Sequence, residues 1–306
     1  MRLLIAGWQG QLAHALVENA LRRSDVEACS IGRPALDICQ LPTIERALSD
    51  VRPDVVINTA AYTAVDAAEL NEASAFALNA GGAGEIAKAA AARGLPIIHV
   101  STDYVFDGLK PAPYVETDPA APRTVYGRSK LAGESAIARA NHQHIILRTS
   151  WVYSPFGRNF LKTMLARRDG PGVVEVVDDQ WGSPTYAPHL ADAILALASQ
   201  FTGPSAGADP ARWGIYHAAG GGETSWYEFA RAIFSEATPR GETQAAVLPI
   251  AASRYPTVAP RLSNSRLDCT KLNTTFGIAL PHWREGVRQC LERLTAAHAA
   301  GIAGRR

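Results

Sequence analysis

Short apolar runs alternate with segments of helical spacing along the first half of the chain. Five runs have the length and composition of buried strands: Arg2–Ala6, Glu27–Ile31, Pro53–Asn58, Ile97–Ser101 and His144–Thr149. Four intervening segments are predicted helices: His14–Arg23, Leu41–Val51, Ser74–Arg93 and Tyr126–Ala140. This alternation predicts an α/β fold, a doubly wound parallel sheet of the Rossmann-like type with right-handed crossovers.

The pattern becomes less regular beyond Ser150. A strand is predicted over Val173–Val177, a turn-rich segment over 178–185, and helices around Leu190–Ser199, Trp226–Ala237 and Trp283–Ala297. No clean linker separates the two halves. We therefore predict a dinucleotide-binding domain over residues 1–150 and a smaller substrate-binding lobe over residues 151–298, interleaved with the sheet. Residues 299–306 are expected to form a disordered tail.

Composition and charge narrow the range of partners. With 306 residues, 47% of them hydrophobic and 19% charged, the chain can bury a large core. A net charge of +1 provides no field for nucleic acid or for an anionic membrane. No apolar run reaches the ~18 residues that cross a bilayer. We therefore expect neither nucleic acid nor membrane as a partner, and an anionic ligand must be held by a local cluster.

Cysteine and histidine spacing give no indication of a metal site. The four cysteines form no CxxC pair, and no signal peptide precedes the first strand, which favours reduced thiols in a cytoplasmic protein. The eight histidines form no HExxH spacing. We therefore predict no bound metal and interpret His99, His144 and His217 as structural.

A glycine turn follows the first strand directly. Gly7 permits a tight turn, and Gly10 lets the backbone approach a pyrophosphate at the start of the next helix. Ala13 stands where a third glycine often stands, and it is small enough for a helix to pack on the strand. The pattern favours a dinucleotide site, although an ordinary strand–helix turn has the same local sequence.

The end of the second predicted strand bears on the choice of cofactor. An enzyme that selects NAD usually has an acidic residue near this point, whereas this chain has Gly32 and Arg33. Arg33 could pair with a 2′-phosphate, which modestly favours NADPH over NADH, although a solvated arginine would look the same. Asp37 could contact an adenine amino group or merely stabilise a turn before the helix.

Tyr126 and Lys130 lie one helical turn apart at the start of a predicted helix. An ammonium near a phenol favours the phenolate and eases proton transfer from a group whose usual pKa is about 10. The fourth predicted strand ends in Ser101 and runs into Thr102, and a hydroxyl at this strand end could converge with the pair on one carbonyl. The three side chains could therefore form the general-acid site of a ketone reductase.

Longer motifs resemble a known family. Four of them, Gly7-x-x-Gly10-Gln-Leu, Ser101-Thr-Asp-Tyr-Val-Phe-Asp-Gly108, Tyr126-Gly-x-x-Lys130 and Arg148-Thr-Ser-Trp-Val-Tyr153, match the extended short-chain dehydrogenases/reductases. The last of the four, the Ser101 run and the later Asp179-Gln-x-Gly-x-Pro-Thr185 are similar to the dTDP-4-dehydrorhamnose reductases more narrowly. The resemblance runs from residue 1 to about residue 295.

The resemblance implies a reaction and a set of contacts. Reduction of the C4 ketone of a dTDP-linked 4-keto sugar would take hydride from NADPH or NADH and a proton from Tyr126. Lys130 would lower the pKa of Tyr126 and bind the nicotinamide ribose, and Thr102 would hold the ketone oxygen. The expected substrate contacts are Thr102, Asp103 and Trp151. Besides the turn glycines, Arg33, Tyr126 and Lys130, the expected cofactor contacts are Gln11, Leu12, Asp37, Ile38, Ala61, Tyr62, Thr63 and Val100.

Some properties of the family stay open for this chain. Certain members dimerise through magnesium held by acidic residues, but the corresponding positions here are Ala15 and the neighbourhood of Pro188 and His189. Either a monomer or a homodimer is therefore compatible with the sequence. Two other functions compete: a reductase or epimerase of another nucleotide-linked sugar, and a non-catalytic NADP-binding subunit like the regulatory subunit of methionine adenosyltransferase.

Overall fold

The structure, a computed structural model, describes residues 1–168, 170, 172–202, 210–237 and 245–303. The strands are β1 (Arg2–Ala6), β2 (Glu27–Ile31), β3 (Val55–Asn58), β4 (Ile97–Thr102), β5 (His144–Thr149), β6 (Val152–Tyr153), β7 (Val173–Val177), β8 (Trp181–Gly182), β9 (Thr185–Tyr186), β10 (Gly214–His217), β11 (Thr224–Ser225) and β12 (Ala246–Ile250). The α-helices are α1 (Gln11–Leu21), α2 (Leu41–Val51), α3 (Val65–Leu70), α4 (Glu72–Phe76), α5 (Ala83–Ala91), α6 (Val125–Ala140), α7 (Phe160–Arg168), α8 (Ala187–Ser199), α9 (Trp226–Ala237), α10 (Thr270–Phe276) and α11 (Trp283–Ala303).

Six parallel strands form the central sheet in the order β10-β5-β4-β3-β1-β2. Helices cover both faces, since alternate residues of β1 belong to different clusters. Leu3 and Ile5 pack with α1 and α8, whereas Leu4 and Ala6 pack with α2 and α5. Strands buried on both faces read as continuous apolar runs, which is why the sequence reveals them. The predicted doubly wound α/β fold is confirmed.

The second half of the chain contributes to the sheet. Strand β10 pairs with β5 in parallel, although it comes from beyond residue 200. Its four residues are too short for a periodic signal, so the sequence did not reveal it. Strand β12, also not foreseen, pairs with the predicted β7. A third apolar cluster, built from α7, α9 and α11, forms the core of the lobe.

Two helices depart from the prediction by more than a shift of a few residues at one end. The helix expected over Ser74–Arg93 consists of α4, a π-helical stretch over Ala77–Gly82 and α5. Helix α11 continues to Ala303, because alanine has the highest helix propensity. The expected tail over residues 299–306 therefore overlaps this helix, and residues 304–306 lie outside the described part of the chain. Within the described residues, no helix is both long and apolar enough to cross a bilayer.

Candidate active site

The carboxyl ends of the parallel strands form the edge at which the predicted glycine turn lies. Gly7 has φ = 114°, and a Cβ there would lie 2.6 Å from Thr59 Oγ1, so only glycine fits between the two strand ends. Gly10 is the N-cap of α1, where no side chain accepts a hydrogen bond from the first N–H groups of the helix. A Cβ at Gly10 would stand in open space. The first backbone N–H groups of α1 are therefore available to an anion such as a pyrophosphate.

Gln11 and Leu12 have side chains engaged elsewhere. Ser154 Oγ and Asn159 Nδ2 donate hydrogen bonds to Gln11 Oε1 at 2.8 and 2.9 Å, which ties α1 to the lobe. Leu12 is buried in the core cluster between α1 and the sheet. Only the backbone amides of these two residues remain for the predicted cofactor contact.

The predicted adenosine side combines exposed and buried residues. Arg33 is exposed, and Trp8, which the sequence did not single out, lies directly against Gly32. Asp37 Oδ1 accepts a hydrogen bond from the Cys39 backbone N–H at 3.0 Å, which is the turn role that the sequence left open. The side chain of Ile38 is buried in the core, so it can offer a ligand only its backbone.

The segment after β3 follows the same edge. Two hydrogen bonds with Asn79 fix this segment: the Tyr62 backbone N–H donates to Asn79 Oδ1 at 2.7 Å, and Asn79 Nδ2 donates to the Tyr62 carbonyl at 3.1 Å. Ala61 is half-buried and Thr63 is exposed. The accessible side chains of Ala61 and Thr63 are compatible with the predicted position of this segment along a cofactor.

Thr102 and Tyr126 meet where β4 ends and α6 begins. The two side chains lie close enough for Thr102 to affect the pKa of the Tyr126 phenol. The Thr124 hydroxyl caps α6 by accepting from the Gly127 N–H at 3.0 Å. A Cβ on Gly127 would lie 2.1 Å from the Tyr104 carbonyl oxygen, so glycine allows α6 to approach the end of β4 this closely. The end of β4 and the start of α6 are therefore close neighbours in the fold.

Lys130 contacts other groups in this structure, and the expectation that its ammonium lowers the pKa of Tyr126 stays a prediction. Burial raises the pKa of Tyr126, Thr102 opposes this rise, and Asp103 adds to it. Lys130 Nζ contacts two groups: it donates to the Val100 carbonyl at 2.7 Å and lies 3.0 Å from His99 Nε2. Burial lowers the pKa of Lys130 to about 8, and Glu134 opposes that effect.

A cavity of about 400 Å³ adjoins the hydroxyl pair, and the predicted substrate residues Asp103 and Trp151 line it. Thr102 Oγ1 donates to Asp103 Oδ1 at 2.8 Å, so the carboxylate connects the cavity to the hydroxyl pair. Burial raises the pKa of Asp103 to about 6, against the hydrogen bond that its Oδ1 accepts from Thr102. Trp151 adopts φ = 47° and stacks on Trp226 with the ring centroids 3.5 Å apart.

Several residues of this cavity were not predicted as site residues. They are Phe160, Gln180, Trp226, Arg261 and Ser265. Gln180 lies in the Asp179–Thr185 motif on which the resemblance rests, so a signal for it existed. Arg261 lines the cavity and forms an ion pair with Asp66, which lies 195 positions away in the chain. No local sequence pattern indicates such a contact.

A buried ion pair links the helix and the two strands that carry the site residues. Arg148 donates from Nε and Nη2 to Glu134 at 3.0 and 2.7 Å, and the Ser101 hydroxyl donates to the same carboxylate at 2.5 Å. Both charged side chains are only 3% exposed. This network joins α6 to β4 and β5 directly below Thr102 and Lys130. Among the described residues, no three His, Cys, Asp or Glu side chains gather as metal ligands.

A parallel α/β sheet with a glycine turn at its carboxyl edge, and a Thr–Tyr–Lys set beside a cavity, define the class of extended short-chain dehydrogenases/reductases. The family model described as "RmlD substrate binding domain" matches residues 1–296. A dTDP-4-dehydrorhamnose reductase of Sinorhizobium fredii is 48% identical over 94% of this chain and 96% of its own length. The chain therefore belongs to the dTDP-4-dehydrorhamnose reductase family.

Solved structures agree with this assignment. The crystal structure of a dTDP-4-dehydrorhamnose reductase from Clostridium acetobutylicum matches with a TM-score of 0.86 and 33% identity, covering 96% of this chain and 100% of that one. A second, from Bacillus anthracis in complex with NADP, matches with a TM-score of 0.85 and 33% identity, covering 95% and 99%. Both extend the similarity over the sheet and the lobe together.

Proposed function

We propose that this protein reduces the C4 ketone of dTDP-4-dehydro-L-rhamnose to the alcohol of dTDP-L-rhamnose, with NADPH or NADH as reductant. The observation that carries the proposal is the proximity of Thr102 and Tyr126 to Asp103, which lines the cavity together with Trp151. Family membership and the NADP complex of the Bacillus anthracis relative support the substrate and the cofactor. The cytoplasmic location and the choice between monomer and homodimer stay predictions.

The chain offers a fitting site for such a dinucleotide. The uncapped start of α1 at Gly10 would hold the pyrophosphate, and exposed Arg33 would favour a 2′-phosphate. The segment Ala61–Thr63, together with Val100, would lie along the nicotinamide half. When bound, the reduced cofactor supplies the hydride for the ketone carbon.

The residues of the site handle the proton and the charge. Tyr126 O–H donates its proton to the carbonyl oxygen as that oxygen becomes an alcohol, and the raised pKa of the phenol keeps it protonated at neutral pH. Thr102 turns its hydroxyl from Asp103 Oδ1 to the same oxygen, donates a hydrogen bond to it and disperses the developing negative charge. Lys130 in its ammonium form compensates the phenolate that remains, since it lies one turn further along the same face of α6.

Substitution of Tyr126 by Phe tests the proposal. With the keto sugar and NADPH, we expect kcat to fall by about a hundredfold or more, because a positioned general acid contributes about 10² to 10⁴. Tyr153→Phe is a matched control: it also removes one buried phenol, which donates to the Trp283 carbonyl at 3.0 Å in the lobe, and should turn over at close to the normal rate.

The product must also be identified. Formation of the L-rhamno alcohol, established by the stereochemistry of the sugar, separates this activity from that of a reductase or epimerase of another nucleotide-linked sugar. A Tyr126→Phe variant that keeps its rate would remove Tyr126 from the proposed role. Absence of turnover by the unmodified protein with any dTDP- or UDP-linked keto sugar would favour the non-catalytic NADP-binding alternative.

A further inference from the structure

His99 occupies a position between a neighbouring strand and the catalytic helix. It lies in the middle of β4 and is 1% exposed. Its Nδ1 lies 3.1 Å from Asn58 Nδ2, across the register pair that joins β3 to β4. Its Nε2 lies 3.0 Å from Lys130 Nζ on α6. The imidazole therefore connects an amide that cannot titrate to the lysine of the site.

The orientation of the Asn58 amide follows from a backbone contact. The Ala60 N–H lies 3.1 Å from Asn58 Oδ1, and a backbone N–H can only donate. The amide oxygen must therefore face Ala60, which leaves Nδ2, a donor, facing His99. His99 Nδ1 then accepts a hydrogen bond, and the proton of the neutral ring resides on Nε2.

This tautomer has a consequence for Lys130. An Nε2–H donor needs an acceptor, and an amine nitrogen accepts only when it is neutral, because an ammonium has no lone pair. If Lys130 is protonated, His99 must move its proton to Nδ1, where it meets the Asn58 Nδ2 donor. The hydrogen bonds of Asn58, His99 and Lys130 can therefore all form together only when Lys130 is the neutral amine.

The surrounding charges are compatible with that state. Burial, the larger cause, holds the pKa of His99 well below its usual range, so the ring is neutral without a charge on Lys130. Burial lowers the pKa of Lys130 to about 8, and Glu134, one turn further along α6, opposes this. Glu134 is itself paired with Arg148 of β5. Tyr126, one turn before Lys130, is protonated because burial raises the pKa of its phenol.

We propose that His99 and Asn58 are positioning residues for Lys130: they hold its Nζ beside the Val100 carbonyl and, through the direction of their shared hydrogen bond, stabilise the amine over the ammonium. The hydrogen-bond arrangement does not depend on the proposed function; only its effect on the pH dependence of the reductase rests on that function. Since the ammonium is the form that compensates a Tyr126 phenolate, the pair sets the upper pH limit of the reductase. His99, which the sequence suggested to be structural, thus acts on the chemistry through Lys130.

Reversal of the hydrogen bond is the sharpest test. Asn58→Asp keeps the size of the side chain and an acceptor for Ala60, but its carboxylate accepts a hydrogen bond from His99 Nδ1–H, which leaves Nε2 as an acceptor for the ammonium. The alkaline limb of the kcat/KM profile should move upward by about one pH unit, a tenfold change in proton affinity. Asn58→Ser is the uncharged control, since a hydroxyl can also accept, and it should move the limb in the same direction by a smaller amount.

A direct measurement separates this inference from the proposed function. In the unmodified, ligand-free protein above pH 9, ¹⁵N–¹H correlation of the histidine rings, assigned with His99→Gln, should show the proton of His99 on Nε2. Asn58→Asp should show it on Nδ1. A proton on Nδ1 in the unmodified protein would overturn the inference, whether or not the keto sugar is reduced. An unmoved alkaline limb in Asn58→Asp, with the tautomer reversed, would overturn it as well.

Discussion

Two regions beside the cavity are built differently: the end of β4 with the start of α6, which adjoins the cavity through Asp103, and the wall of the lobe around Trp151, which lines it. The first has a strand paired on both sides and a helix fixed by the buried Glu134–Arg148 pair. The second has two-residue strands and an aromatic stack in which Trp151 lies on Trp226. Reacting groups need fixed geometry, whereas a binding surface can be built from loops and rings. We infer that the sheet half sets chemistry and cofactor, and that the lobe sets the sugar nucleotide.

Removal of the buried carboxylate is expected to have the largest effect on the sheet half. Glu134→Ala leaves Arg148 without its partner and the Ser101 hydroxyl without an acceptor. An uncompensated buried charge costs about 3–5 kcal/mol, so the free energy of unfolding in urea should fall by that amount. Glu285→Ala, which breaks an exposed pair with Arg288, is the control and should leave the urea midpoint nearly unchanged. A loss below about 1 kcal/mol for Glu134→Ala would show that this support is not needed.

The cofactor side of the sheet half is tested by Arg33→Ala. If the exposed guanidinium binds a 2′-phosphate, KM for NADPH should rise about tenfold, the value of one charge-assisted hydrogen bond at the lower limit. KM for NADH and for the sugar nucleotide should stay unchanged. Equal losses with both cofactors would show that Arg33 does not select between them.

The smallest effect is expected in the lobe. Trp226→Leu keeps an apolar side chain but removes the ring on which Trp151 stacks. Loss of an aromatic pair costs about 1 kcal/mol, so KM for the sugar nucleotide should rise about fivefold, with KM for NADPH unchanged. Arg33→Ala is its reciprocal control. If either variant altered both constants, the division of labour between the two regions would be wrong.

Much of the sheet and the core of the site followed from local sequence. The runs at β1, β3, β4 and β5 are apolar because both faces of the sheet are buried, and this pattern needs no knowledge of the partners. The glycine turn at Gly7 and the four-residue spacing of Tyr126 and Lys130 are equally local. The family motifs added Asp103 and Trp151, both of which line the cavity.

Tertiary structure alone decided the contacts between distant parts of the chain. Strand β10 joins β5 from beyond residue 200, and Gln11 binds the lobe through Ser154. His99 meets Lys130 and Asn58 only because parallel pairing and helix packing bring the three together. Sequence pattern reports which faces of a segment are buried, since burial imposes a local period. It does not report which polar groups meet in the interior, because there each hydrogen bond depends on the placement of a residue elsewhere in the chain.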